Sequence, residues 1–399
     1  NQHDKEIDTA TADHSEEVDA VQSSSNIALI YKPNQKFTNG EKCKEFEMEW
    51  SKYIGCAHST YVNSGASANY IMASIMKEQK GVGEVIVSPL GWVSDVSPLV
   101  NLGFTPVFVD VSMDNMSITL DNIKKAVTDK TVGVSIVHVL GFNAITDAMV
   151  HFCRDNDLFL IEDCCEAHGA THKGDKVGIF GDVSNFSFYF GHHITSIEGG
   201  MVCTNDSELW DYAKLFRSHG MTREASDSLQ SEYKENYPDL NPLFTFAVPG
   251  YNVRSQEFNA VLGLSQLGRM GERLEHNVKR RKENFKQWIN KLRYDSDNFY
   301  CSFDDNGNSN FALPLILRKK DLELFERCCI LLNNEKVEYR IGTAGGGNQA
   351  RQPYLESYEF RTHDLKNINH IHDFGLYIGN HPELNNKQIV DLCQRLNNL

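Results

Sequence analysis

Several short stretches of this chain set reactive side chains at the ends of apolar runs. Leu160-Ile161-Glu162-Asp163 reads as a strand that ends in a carboxylate, and the carboxyl ends of parallel strands are where open α/β sheets bind ligands. Such an aspartate is often only a helix cap. In a site it can pair with the nitrogen of a pyridine-type ring and keep that ring protonated, so that it draws electrons from a carbanion. Asn63-Ser64-Gly65-Ala66-Ser67 lies between a strand and a helix. Gly65 permits a close turn, and the N–H groups that open the helix, with the Ser67 hydroxyl, make an anion site; a serine N-cap is the plainer alternative. Phe186-Ser187-Phe188 closes another strand and offers a second hydroxyl to the same anion, or is simply a serine between two core aromatics. Trp92 follows an apolar run, and an indole there can stack on a planar ring or be ordinary core. Gly191-His192-His193-Ile194-Thr195 precedes Glu198-Gly199-Gly200, and an imidazole moves protons near neutral pH.

These residues need elements to hold them. Short apolar runs at Ser59–Val62, Glu84–Ser88, Thr105–Asp110, Val132–His138, Leu158–Asp163, Val183–Phe190 and Met201–Thr204 read as strands. Between them lie amphipathic segments such as Glu41–Ile54, Ser67–Glu78 and Leu120–Val127. This alternation predicts a mostly parallel sheet covered by helices. Met221–Thr245 is polar without periodicity and reads as a surface loop, and Ser255–Leu292 reads as one long helix. Beyond it, strand Asn310–Leu317, helix Lys320–Asn333, strand Lys336–Arg340, a Gly-rich loop and helix Asn386–Leu396 predict a small α/β domain. The expected division is a lead-in over 1–30, with a short strand at Ile27–Tyr31, a large domain over 31–280 and a small one over 281–399.

The chain has 399 residues, a net charge of −15 and 41% hydrophobic residues. The acidic balance argues against nucleic acid as a main partner. No apolar stretch is long enough for a membrane span, and Asn1–Ser25 carries no secretory pattern, so a cytoplasmic enzyme is expected. Ten scattered cysteines without a CxxC suit reduced thiols.

In their order along the chain, the anion loop, the aromatic, the aspartate and the Gly191–Gly200 stretch resemble the fold-type-I sugar aminotransferases of the DegT/DnrJ/EryC1/StrS family. The resemblance runs from about Phe37 to the C-terminus. It also rests on Ala167-His168-Gly169-Ala170, Arg217-Ser218-His219-Gly220 and Pro249-Gly250-Tyr251-Asn252-Val253-Arg254. It implies a large domain with a mixed, mostly parallel sheet, a small C-terminal α/β domain and a pyridoxal 5'-phosphate cofactor. Asp163 would hold the pyridinium nitrogen, Trp92 would stack on the ring, and Gly65, Ala66, Ser67 and Ser187 would hold the phosphate. Glu166 would lie near the ring hydroxyl. Asn252 matches a residue that reaches the phosphate of a neighbouring subunit, which implies a homodimer.

The departure from the family is His192. It stands six residues before Glu198, where the family has the lysine that forms a Schiff base with the cofactor. Imidazole cannot form that bond but can serve as a base. His-His-Ile-Thr followed by Glu-Gly-Gly resembles a subset, the sugar 3-dehydratases, and most closely those acting on GDP-linked 4-keto-6-deoxy sugars. An iron–sulfur branch shares the histidine but carries cluster cysteines after the Glu-Gly-Gly. Here no cysteine falls between 204 and 300 and no Cys-x-Cys occurs, so no metal is expected. The stretch from Arg340 through Asn348 to Arg351 resembles a region near the sugar-nucleotide site, where forked guanidinium donors suit a pyrophosphate; a flexible Gly loop with solvated arginines is the alternative. The implied activity is removal of the C3 hydroxyl through pyridoxamine 5'-phosphate, with glutamate as amino donor, in dideoxysugar synthesis for lipopolysaccharide O-antigen. A sugar aminotransferase and a silent sugar-nucleotide-binding relative stay open.

Overall fold

The structure, a computed structural model, describes residues 36–295, 297–343 and 345–399. The 1–30 lead-in and the Ile27–Tyr31 strand lie outside the described residues. In chain order the strands are β1 (His58–Val62), β2 (Glu84–Val87), β3 (Thr105–Phe108), β4 (Thr131–Val137), β5 (Phe159–Asp163), β6 (Thr171–His172), β7 (Asp175–Lys176), β8 (Val183–Ser187), β9 (Gly200–Thr204), β10 (Ala312–Ile316), β11 (Tyr339–Ile341), β12 (Arg361–Thr362) and β13 (Gly375–Gly379). Eight of them form one sheet in the order β1-β9-β8-β5-β4-β2-β3-β12. β9 runs antiparallel to both its neighbours, and every other pairing in the sheet is parallel. The β2 and β5 side chains are buried throughout, as expected where helices cover both faces of a parallel sheet.

The helices show how sequence sets their ends. Glu41–Ile54 buries Cys43, Phe46, Trp50 and Ile54, a three–four spacing that lays one apolar stripe on the core. Its first N–H groups meet the Glu257 carboxylate, which accepts from Gly40, Lys42 and Cys43 at 2.9–3.0 Å, and Gly55 ends it in the left-handed conformation. The helix Gly65–Lys80 starts at an N-cap, Ser64, whose hydroxyl accepts from Ser67 N at 3.0 Å.

Two segments correct the expectations. Met221–Thr245 is not loop throughout: Asp227–Asn236 is a helix capped by Ser226, and none of its residues is buried. A helix with no face on the core leaves no apolar period to read. The long helix expected over Ser255–Leu292 is two, Glu257–Leu267 and Glu272–Asp295, broken at Gly268, which has φ 70°. C-terminal to these, β13 is the central strand of a three-stranded antiparallel sheet, β10-β13-β11. No strand was expected over 375–379, and β12 crosses back to the edge of the main sheet beside β3.

Candidate active site

The carboxyl ends of β1, β2, β4, β5 and β8 lie at one end of the main sheet. Because β9 alone is reversed, its amino end lies there too. Thus the loop Asn63–Ser67, Trp92, Leu140, Asp163, Ser187 and the His192 hairpin are brought to one place by topology.

Asp163 closes β5 and is 5% exposed. Its Oδ2 accepts from Asn69 Nδ2 at 2.9 Å and Asn185 Nδ2 at 3.1 Å, and its Oδ1 from Cys165 N at 2.9 Å. Three N–H donors hold the carboxylate in place. Asn69 and Asn185 were not singled out from sequence, yet both carried a signal. Asn69 is one helical turn beyond Gly65, and Asn185 is two residues before Ser187 on the same strand, so each shares a face with an expected site residue.

His192 and His193 sit in the 188–199 hairpin. Gln266 grips that hairpin from the neighbouring helix: Oε1 accepts from Thr195 N at 2.9 Å and Nε2 donates to Thr195 O at 3.0 Å. The His192 ring stands 5.4 Å from Phe311 and 5.8 Å from His168, and its Nδ1 is buried without a partner. Burial pulls the imidazole down to about 4, against the pull of the Asp163 charge and with help from Arg281. The ring is therefore neutral at pH 7 with a lone pair to offer. His193 donates from Nε2 to Ser309 O at 3.3 Å, and burial also holds it well below the usual range.

The anion loop keeps both of its readings. Ser64 caps the Ser67 N–H, while Gly65 and Ala66 head the helix. A Cβ on Gly65 would stand 2.6 Å from Ser187 Cβ and 3.1 Å from Cys165 Sγ, so only glycine lets these two segments approach. Ser187 is 7% exposed. Asn252 is exposed, and the next residue, Val253, accepts from Asn63 N at 2.9 Å. Trp92 is 54% exposed and faces the Gly-rich loop: a Cβ on Gly345 would lie 2.8 Å from its ring. Gln349 fastens that loop by donating from N to Pro89 O at 2.8 Å and from Nε2 to Gly91 O at 3.1 Å.

Glu166 accepts from Leu140 N at 2.7 Å. Leu140 presents that N–H from a left-handed conformation, φ 51°, a strained backbone of the kind that clusters at sites. Burial lifts the Glu166 carboxyl to about 7, Leu140 N and the Arg340 charge oppose the rise, and Asp163 adds to it. Arg340, on β11, pairs in register with Tyr377. Asn348 and Arg351 are already engaged. Asn348 Nδ2 donates to Asn369 Oδ1 at 3.0 Å, and Arg351 forms an ion pair with Asp373 at 2.7 Å. Of the three expected substrate contacts, Arg340 is the one whose charge acts on Glu166.

One buried trio, His138, Glu162 and Cys164, is spaced like metal ligands. Its lone pairs are spent elsewhere. His138 Nδ1 accepts from Ala144 N, which leaves Nε2 to donate to Glu162 Oε2 at 3.2 Å. Glu162 also accepts from Gly178, Phe180 and Gly181 N–H groups at 2.8–3.1 Å. The cluster is a structural clasp behind Asp163.

The sheet with its one reversed strand thus gathers a buried aspartate, a serine–glycine loop and a histidine hairpin at one end. The chain belongs to the DegT/DnrJ/EryC1/StrS aminotransferase family, whose sequence profile matches residues 22–397. It is 30% identical over 371 residues to GDP-4-keto-6-deoxy-D-mannose 3-dehydratase of Yersinia pseudotuberculosis, covering 91% of each chain. It is 31% identical to the lipopolysaccharide biosynthesis protein RfbH of Salmonella typhimurium, covering 88% of this chain and 83% of that one. It also resembles the crystal structure of GDP-4-keto-6-deoxymannose-3-dehydratase with a trapped PLP-glutamate geminal diamine: TM-score 0.82, 27% identity, 95% of this chain and 97% of the other. The donor set here fits pyridoxal phosphate. Asp163 is an anchored carboxylate for a ring nitrogen, glycine at 65 lets the N-terminus of its helix close on the Ser187 side chain, and the buried Nδ1 of His192 is unengaged. Among the described residues, the lysines nearest the hairpin in sequence are committed elsewhere: Lys173 to Asp147, Lys176 to Glu275 and Lys214 to Asp211.

Among the described residues no helix is long and apolar enough to cross a membrane. Among the described residues, Cys43, Cys56, Cys153, Cys164, Cys165, Cys203, Cys328 and Cys329 carry free thiols.

Proposed function

We propose that the chain is a 3-dehydratase that removes the C3 hydroxyl of a nucleotide-linked 4-keto-6-deoxy hexose, with pyridoxal phosphate as cofactor and glutamate as amino donor. His192 carries this reading: a neutral imidazole with an unengaged Nδ1 stands where a lysine stands in the family's aminotransferases. When bound, the cofactor supplies an electron-accepting ring and, in its pyridoxamine form, an amine that condenses with a ketone. The chain's own residues do the rest. Asp163 holds the ring-nitrogen proton, Trp92 covers a ring face, and Gly65, Ala66, Ser67 and Ser187 hold the phosphate. Glu166 lies by the ring hydroxyl. His192 takes a proton at Nδ1 and, lacking a primary amine, holds the cofactor only non-covalently. Arg340 faces the sugar nucleotide, and Asn348 and Arg351 join it by exchanging their present partners, Asn369 and Asp373, for the substrate. The products are 2-oxoglutarate, which carries away the two electrons' worth of oxidation, ammonia and a 3,6-dideoxy-4-keto sugar.

GDP is the favoured nucleotide, because a 3-dehydratase structure with a TM-score of 0.83 to this chain is described with bound GDP-perosamine. The protein works as a homodimer, with Asn252 reaching the partner's phosphate site. Leu240, Leu243, Phe244 and Phe246, all more than half exposed in one chain, support an interface there. The thiols of Cys43, Cys56, Cys153, Cys164, Cys165, Cys203, Cys328 and Cys329 suit the cytoplasm, and the product suits surface-polysaccharide synthesis. The domain division near residue 280 belongs to this reading, with β12 as the segment that returns to the large domain.

The deciding experiment is product analysis after turnover of a GDP-4-keto-6-deoxy hexose with glutamate. A sugar that has lost its 3-hydroxyl, with ammonia, is expected. A stable 4-amino sugar would establish the second reading, an aminotransferase, which 27% identity to GDP-perosamine synthase of Escherichia coli O157:H7 favours. No turnover of any such substrate would leave a sugar-nucleotide-binding protein.

A further inference from the structure

Asp95 is a second carboxyl in this pocket. It closes the short turn Val93–Asp95 after Trp92 and is 7% exposed. Its Oδ2 accepts from Trp92 N at 2.8 Å, and its carboxyl lies in hydrogen-bonding contact with that of Asp163. Asn69 joins the same two segments, donating from Nδ2 to Asp163 Oδ2 at 2.9 Å and to Ser94 Oγ at 3.3 Å. The turn is built around the Asp95 side chain: a Cβ on Gly91 would stand 2.4 Å from its Oδ2. The other groups facing it are Glu166, the Cys165 thiol and the Tyr354 hydroxyl, none of them cationic.

Two carboxyl groups in contact in such a place cannot both be ionised; they share a proton. The donors decide who carries it. Asp163 receives three N–H groups and Asp95 one, so Asp95 is the acid of the pair. Burial and the charge of Asp163 raise the Asp95 carboxyl well above the usual range, in agreement with this assignment.

We propose that Asp95 is a positioning residue of the cofactor site: as a carboxylic acid it donates to Asp163, and through the Trp92 N–H it joins the ring-stacking indole to the ring-nitrogen partner. The inference rests on the reading of Asp163 as that partner. It makes one side chain set two contacts with the same ring, and it keeps the pair at a single negative charge for a single ring cation.

The test compares Asp95→Asn, which keeps a donor and an acceptor, with Asp95→Ala, which keeps neither. The probe is pyridoxamine 5'-phosphate labelled with ¹⁵N in the ring, with affinity from equilibrium dialysis and ring protonation from the ¹⁵N shift. Asp95→Ala is expected to weaken binding about tenfold, the loss of one charge-assisted bond, and to move the ¹⁵N shift toward the unprotonated ring. Asp95→Asn should retain both within about twofold. The cofactor-free protein should show the carbonyl stretch of a buried carboxylic acid that survives Glu166→Gln and vanishes in Asp95→Asn, a readout that holds even if Asp95→Ala fails to fold. An Asp95→Ala protein with unchanged affinity and shift, or a carbonyl band unaltered by Asp95→Asn, overturns the proposal alone. An Asp163→Asn protein with unchanged affinity and shift overturns it together with the reading beneath it.

Discussion

The His193 ring donates to the Ser309 carbonyl at 3.3 Å. Ser309 N in turn donates to Gly141 O, and Phe311 N to Leu140 O. The chain entering β10 is thus held between the loop after β4 and the His192 hairpin, and it delivers Phe311 against the His192 ring. The His192 ring is located by distant segments of the chain, which is how a hairpin side chain attains the fixed position that the proposed proton transfer needs.

His192 should act as a base without acting as an anchor. Its imidazole is held near 4, so the basic, neutral form persists down to that pH. The acid limb of kcat/KM should fall near pH 4, not near the 6.5 of a free histidine. Borohydride treatment of the cofactor complex should leave no label on any lysine. His192→Lys should gain a labelled lysine and lose dehydration. A labelled lysine in the unaltered protein removes His192 from its assigned role.

Glu166 should change charge within the working range. Burial raises its carboxyl to about 7, so the fold prefers it protonated. Its contribution to stability is full below the unfolded value of 4.5 and is lost as pH rises through 7. Glu166→Gln should flatten that part of the curve of melting temperature against pH, and a slope equal to that of the parent protein would contradict the assignment.

The Glu162–His138 clasp should titrate the other way. Burial pushes Glu162 up, but the His138 ring and the backbone N–H groups outweigh it and hold the carboxyl low. That stability is full above 4.5 and is lost as pH falls through the lowered folded value. Glu162→Ala leaves His138 and three N–H groups unpaired and should cost about 3–5 kcal/mol. Denaturant unfolding measures it, and a loss below about 1 kcal/mol would show that the clasp is dispensable.

If Asn252 serves the neighbouring subunit, two inactive proteins should rescue one another. Asp163→Asn and Asn252→Ala homodimers are each expected to be nearly inactive, while their mixed dimers contain one intact site. Unfolding and refolding them together should restore activity to a fraction of the parent level. Absence of rescue, with dimers confirmed by sedimentation, places Asn252 in its own subunit's site.

Much of this was legible from sequence because the signals were local. β5 ends in Asp163 as its apolar run implies, and Gly65 heads a helix as the turn between strand and helix demands. Asp95 and Asn69 were not legible as partners: they meet Asp163 only through the side-by-side order of β5, β4 and β2 and the helix above them, which no spacing in the chain states. The helix Asp227–Asn236 was missed because it buries nothing. The ion pair of Arg351 with Asp373, 22 positions later, was equally beyond the sequence, which shows no spacing that joins the two.

The reversed strand also governs when the pocket can exist. β1 takes its ladder partner from β9, where Ser59 faces Cys203 across 144 positions of chain. During synthesis β1 therefore has no ladder partner until residue 204 has emerged, and the hairpin lacks its contacts to Ser309 and Phe311 until these have followed. Long-range pairings of this kind form late because chain closure precedes any gain in contacts. A nascent chain can hence carry every cofactor-facing residue up to the histidines and still offer no binding site, so capture of cofactor reports the completion of the fold.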